Sequence, residues 1–334
     1  MGKDLSKAEL PRAQNGAEPQ LLLTSLLGDF WYWRDEHIPA TALVRLLADF
    51  DVTSDGARAA MRRLVARGLL DTSRSGRTTA YGIPARTSEV IVERTHRMLT
   101  FGTAAPEWDG HWTVVAFSVP EQARGLRTAL RSGLRLLRFA ALYDGVWVSP
   151  HDLGADAQAL LRELGIETAT VLRCVAVPSG RPGDPVSAFD LASLGKEYRA
   201  FTERYEPVLK SLAAGLISPA EALRTRTELR VAWRRFPETD PDLPAELLPS
   251  DWDRPRAQQV FLEIYDRLGP LAELRFRQIL GTVSPELAEL ASHHDSAAIA
   301  DLYASLGDRR AHGDTPFERA TAARRLDEVA RSKS

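Results

Sequence analysis

Apolar positions recur at helical spacing between Pro19 and about Phe50, first in PQLLLTSLLGDFWYW and then, past the breaker Pro39, in PATALVRLLADF. This predicts two short helices joined by a polar turn. A third helix is predicted in TSDGARAAMRRLVARG, where Ala57, Ala60, Met61, Leu64 and Val65 recur at i, i+3, i+4, i+7 and i+8. Thr53 or Ser54 can cap its N-terminus and Gly68 supplies the stop. Two β-prone stretches follow, LLDTS and TTAYGI, joined across RSGR, whose Gly76 suits a tight hairpin turn. Three helices and a basic hairpin predict a winged helix-turn-helix over residues 19–86, preceded by a flexible polar arm at 1–18. The pattern SEVIVERTHRML then predicts a linker helix within 87–107.

A second segment, 108–178, opens on the strand-like run WTVVAFSVP and continues with the helix EQARGLRTALRSGLRLL. The strands FAALYD and VWVSP, hinged at Asp144-Gly145, the helix ADAQALLREL and the strand ATVLRCVAV complete it. The order βαββαβ predicts a ferredoxin-like sheet covered by two helices. A Pro/Gly-rich linker at 179–187 leads to a mainly α-helical C-terminal domain, 188–282, and a helical extension, 283–334, expected to be partly disordered. The fold class is thus α+β multidomain, as a length of 334 residues suggests.

The run Phe30, Trp31, Tyr32 and Trp33 does not fit one helical face, because successive residues turn by about 100°. Phe30 and Trp33 are expected to pack beneath the winged helix, leaving Trp31 and Tyr32 for a neighbouring domain or a dimer mate.

A net charge of −2 favours no partner, but residues 57–86 hold seven arginines against one acid, Asp71. Arg58 and Arg62, four apart on the third helix, share a face opposite its apolar stripe, with Ser54 near them. Arginine reads guanine edges and pairs with phosphate, so this face suits a major groove of double-stranded DNA. Arg63 and Arg67 flank it, suited to phosphate or to an internal ion pair, and Arg74, Arg77 and Thr78 sit at the hairpin tip. The competing reading is a solvated charged face; the missing acids and the helix-hairpin order favour DNA.

Cys174, the one cysteine, excludes an intramolecular disulfide and is expected to be a small buried hydrophobe. The first twenty residues lack the apolar core of a signal peptide and no apolar run reaches membrane-spanning length, so a cytoplasmic protein without membrane association is expected. His293, His294 and Asp295 are adjacent but lack metal-ligand spacing, and no P-loop, dinucleotide fingerprint or GXSXG elbow occurs. No metal, cofactor or catalytic residue is assigned.

The blocks LLLTSLLGDF, VTSDGARAAMRRLVARGLL with GRTTAYGI, WDGHWTVVAFSVPE, LYDGVWVSP and AWRRFPETDPDLPAELLPSDW together resemble the PaaX family of phenylacetate-catabolism repressors, across roughly residues 20–280. The resemblance implies a dimeric repressor released from its operator by an aryl-CoA or acyl-CoA thioester. It also implies that the middle domain is similar to Cas2 nucleases. A Cas2-like metal-dependent nuclease is the alternative function. That family places an aspartate at the end of its first strand, whereas here Ser118 and Val119 follow, so the domain reads as a dimerisation or coupling module and the chain as no enzyme. For a CoA thioester, arginines beside an apolar slot are needed, and Trp233, Arg234, Arg235 and Trp252 offer them. The alternative is that this proline-spaced stretch packs the third domain, with its tryptophans as core and Asp240 or Asp251 as caps.

Overall fold

The leucines after Pro19 wind into α1 (Pro19–Phe30), in which Leu21, Leu22, Leu23, Leu26, Leu27 and Phe30 are all buried. A helix apolar on every side must be enclosed by neighbours. In the computed structural model, which describes residues 19–32, 34–75, 78–103, 107–176 and 183–305, it is. Around it lie α2 (Ala40–Ala48), α3 (Ser54–Ala66), α4 (Ala85–Thr100) and, from far along the chain, α8 (Pro219–Trp233). The strands β2 (Asp71–Ser75) and β3 (Thr78–Gly82) pair antiparallel, with Arg74 opposite Thr79. A two-residue strand, β1 (Ile38–Pro39), completes the sheet in the order β1-β3-β2. Pro39 therefore does more than break a helix: it sits on an edge strand, where a missing N–H is tolerated.

Two compact units emerge. The first contains the described residues of 19–101, 200–238 and 256–305, and the second those of 102–199 and 239–255. The C-terminal helices thus do not form a third unit. Most of α7 (Leu191–Ala213), α8, α9 (Phe236–Thr239), most of α10 (Arg254–Gly281), α11 (Pro285–Leu290) and α12 (Ser296–Ser305) join the N-terminal helices. The interior of this unit is aromatic: Trp233 stacks on Phe261 at 4.8 Å and 8°, and Phe201 lies 5.1 Å from Trp233. Although residues beyond 283 are thin in large apolar side chains, Tyr303 of α12 stacks on His96 of α4 at 3.5 Å.

Phe30, Trp31 and Tyr32 are all buried, and the neighbour that takes the first two rings is Phe276 of α10, at 4.9 and 6.5 Å. The indole N–H of Trp31 donates to the Glu36 carbonyl at 2.9 Å. Phe30 is buried as its periodicity suggests, with α10 supplying the ring it stacks on; Trp33 lies outside the described residues.

The second unit holds β4 (Trp112–Phe117), α5 (Arg124–Leu136), β5 (Ala140–Tyr143), β6 (Val146–Ser149), α6 (Gly154–Glu163) and β7 (Ala169–Cys174). Its sheet is antiparallel throughout, in the order β5-β6-β4-β7. Val115 faces Trp147 on one side and Val171 on the other, and this face packs with Leu130 and Leu134 of α5 and Ala157, Leu160 and Leu161 of α6. Gly145, between β5 and β6, is required by close approach, since a Cβ there would lie 2.6 Å from the Phe117 carbonyl oxygen. Trp112 and Trp147 are core residues. Cys174, expected inside, is exposed: β7 is an edge strand and its even positions point away from the helices, leaving Leu172 exposed as well. No helix among the described residues is long and apolar enough to cross a membrane.

Candidate functional site

α3 presents its charges to solvent because its other face is filled. Ala57, Ala60, Met61 and Leu64 are at most 2% exposed, whereas Ser54, Arg58, Arg62, Arg63 and Arg67 are exposed. The Thr53 hydroxyl accepts from the Gly56 N–H at 3.2 Å, which fixes the helix start. Gly68, at φ +70°, lets the chain leave, with the Leu69 N–H bonded to the Leu64 carbonyl at 2.9 Å. Arg58 lies 3.6 Å from Asp55 in an exposed i,i+3 pair, a contact too weak in water to withhold the guanidinium from a phosphate or base. Arg74 and Thr78, near the end of the hairpin, are exposed; Arg77 lies outside the described residues. Asp71, the acid within this basic segment, lies 2.9 Å from the His37 imidazole at the far end of β2.

What holds α3 in place was not legible in its own sequence. The turn between α2 and α3, where Asp51 adopts φ +60°, is gripped by arginines from over 170 residues away. Arg275 of α10 binds the Asp49 carboxylate through two hydrogen bonds of 2.8 and 2.9 Å. Arg224 of α8 donates to the Asp49 carbonyl at 2.9 Å and pairs with Asp51 at 2.8 Å. A planar guanidinium with two parallel bonds fixes orientation as well as distance.

A second tie lies at the end of α1, where Asp29 is 2% exposed. Arg226 contacts its two carboxylate oxygens at 2.7 and 3.0 Å, Arg230 approaches at 2.7 Å and the Tyr265 hydroxyl donates at 3.2 Å. Burial by itself would raise the Asp29 pKa; the two guanidiniums outweigh it and hold the carboxyl below its usual range. Arg226 also donates to the Tyr265 and His294 carbonyls and sits 3.7 Å over the Tyr265 ring, so every part of this buried cation is engaged. His293 is taken up by the Glu273 carboxylate at 2.5 Å, and the His294 ring tilts against Tyr32 at 4.9 Å.

The residues read as an effector slot differ in their surroundings. Trp233 is fully buried, its N–H donating to the Met98 carbonyl at 3.0 Å. Arg235 is exposed, its guanidinium 5.6 Å from the Phe236 ring centre. Trp252 belongs to the second unit, edge-on to Tyr198 at 5.6 Å, whose hydroxyl donates to Asp240 at 2.6 Å. Arg234 is the member that lines a cleft of the first unit; burial lowers its pKa to about 10, against the pull of Glu238 at 3.8 Å. In the second unit, the residue after β4 is Ser118, whose carbonyl accepts from the Thr168 hydroxyl at 2.5 Å; no carboxylate occupies that position.

Known family models match the chain in three consecutive segments. Residues 18–87 match a family model described as PaaX-like protein, residues 105–185 the PaaX protein central Cas2-like domain, and residues 189–278 the PaaX-like protein C-terminal domain. The Escherichia coli K12 protein named transcriptional repressor PaaX is 28% identical over 258 residues, 75% of this chain and 80% of its own length. A solved structure of an uncharacterised Mycobacterium tuberculosis protein, 23% identical, aligns with 76% of this chain and 97% of its own at a TM-score of 0.46. With three matched segments in family order spanning most of its length, this chain belongs to the PaaX family.

Proposed function

We propose that this chain is a sequence-specific DNA-binding transcriptional repressor and not an enzyme, acting in the cytoplasm as a homodimer and released from its operator by an aryl-CoA or acyl-CoA thioester. The observation that carries the reading is the exposed arginine face of α3, built on a filled apolar stripe and followed by the basic β2–β3 hairpin. The order of three helices and a three-stranded sheet supports a winged helix-turn-helix with α3 as recognition helix. Arg58 and Arg62 would read base edges, Ser54, Arg63 and Arg67 would contact phosphates, and Arg74, Arg77 and Thr78 would reach the backbone beyond the hairpin. The relative named a repressor supports the regulatory role.

The strand order of the second unit, with both helices on one face, supports a ferredoxin-like module for dimerisation or coupling. Ser118 at the end of its first strand speaks against metal-dependent nuclease chemistry.

Selection from random-sequence DNA followed by gel shift tests the reading. Replacing Arg58 and Arg62 with alanine is expected to weaken the selected site at least tenfold, since each bidentate base contact is worth roughly 1–3 kcal/mol. Arg74→Ala is expected to weaken all sequences alike and reduce the salt slope by about one. Unchanged specific affinity in the double variant refutes the assignment of α3.

A further inference from the structure

One acid, Asp55, stands on the arginine face of α3. Successive helical residues turn by about 100°, so Asp55, Arg58, Ala59 and Arg62 form a single line opposite the filled stripe Ala57, Ala60, Met61 and Leu64. Asp55 and Arg62 lie nearest the centre of that line; Ser54 falls to one flank, and Arg63 and Arg67 to the other. Asp55 is therefore aimed where the arginines are aimed. Its side chain is 100% exposed, with Arg58 beside it at 3.6 Å. The helix start does not need it as a cap, because the Thr53 hydroxyl already takes the Gly56 N–H. A carboxylate on a surface that meets DNA has a definite cost: phosphates repel it, and so do guanine O6 and N7 and thymine O4. An amino donor on a base edge offsets that cost. Cytosine N4 is such a donor with no acceptor next to it on the same base, whereas adenine sets N7 beside N6. Across a C·G pair the cytosine amino group adjoins guanine O6 and N7, and Asp55 and Arg58 side by side present the matching acceptor and donors.

We propose that Asp55 is a specificity-determining residue of α3: its carboxylate accepts from a cytosine N4 amino group in the major groove, while Arg58 donates to guanine O6 and N7 of the same pair or the next. This rests on the repressor reading above and names a base which that reading leaves open. Asp55 works by exclusion as well as attraction, since guanine and thymine at its position set an acceptor against the carboxylate. Ala59, on the same line, has nothing beyond a methyl group to hold the helix away from the base edges.

The test selects sites from random double-stranded DNA with the full chain and with its Asp55→Ala and Asp55→Asn variants, and measures affinity for each selected site by gel shift. The unaltered chain is expected to require cytosine at one position of its site. Asp55→Ala is expected to lose that requirement and no other, and to bind the original site about tenfold more weakly. It is expected to bind unselected DNA at least as well as before, because a charge that phosphates repel is gone. Asp55→Asn is expected to prefer adenine at that position, since an amide offers a donor to N7 and an acceptor to N6. Asparagine is isosteric with aspartate, so this second variant decides the matter if the first is poorly folded. Unchanged base preferences at every position in the variants overturn the proposal. So does a loss in Asp55→Ala that is equal for all sequences, which is what a merely structural role at the helix start would give. If the unaltered chain selects no sequence, the repressor reading fails and the assignment of Asp55 with it. If Arg58→Ala with Arg62→Ala abolishes the selection and the Asp55 variants leave it intact, the assignment of Asp55 alone fails.

Discussion

Replacing Asp29 with alanine removes the carboxylate that ties α1 to α8 and α10, and leaves Arg226 and Arg230 buried without their anion. Breaking a buried ion pair from one side costs about 3–5 kcal/mol, because the remaining charge keeps its desolvation penalty and loses its partner. Here two cations are stranded, but Arg226 retains the Tyr265 and His294 carbonyls and the Tyr265 ring, so the lower half of that range, about 3–4 kcal/mol, is expected. The pH dependence has a definite sign. Asp29 titrates below its ordinary 3.8 in the folded chain, so its contribution is complete above about pH 4 and fades as pH falls through the lower folded value. Urea unfolding followed by far-ultraviolet ellipticity, run on both chains at neutral and strongly acid pH, reads both quantities. The gap is expected at neutral pH and narrows in acid. A combined replacement, Asp29→Leu with Arg226→Met and Arg230→Met, should recover most of the loss, since apolar groups of similar volume often replace buried ions without penalty. A loss below about 1 kcal/mol for Asp29→Ala, or a gap that does not narrow in acid, refutes the reasoning.

Trp31→Ala is expected to cost about 3–5 kcal/mol in thermal denaturation, because the ring is fully buried against Phe276; a loss under about 1 kcal/mol contradicts its place in the core. Cys174 should react with a thiol reagent in the native chain at a rate close to that of the urea-unfolded chain, and a requirement for denaturant contradicts its exposure on β7. Arg275→Ala should raise amide exchange in the α2–α3 turn at least tenfold and weaken selected DNA several-fold, whereas Arg58→Ala should leave exchange in that turn unchanged.

Local pattern was sufficient wherever one element's own residues settle its form. The stripe Ala57, Ala60, Met61 and Leu64 faces inward as its spacing predicts, so Arg58 and Arg62 face outward, and Thr53 caps α3. The apolar runs of the middle segment and the breaks between them mark each of its four strands and both helices, because each run ends where a turn or a helix takes the chain out of the sheet. Cys174 was misjudged for a related reason: composition cannot say that β7 lies at the edge of the sheet, with half its side chains beyond the reach of α5 and α6.

Other features depend on encounters between distant residues and leave no local trace. Arg224, Arg226 and Arg230 read as ordinary positions of an arginine-rich helix. Their roles come from Asp51 and Asp29, supplied by segments more than 170 residues away in the chain. Hydrophobic spacing records which face of a helix is buried, but not what buries it. The FWYW run announced that it needed a partner beyond its own helix, and only the folding of α10 against α1 made that partner Phe276.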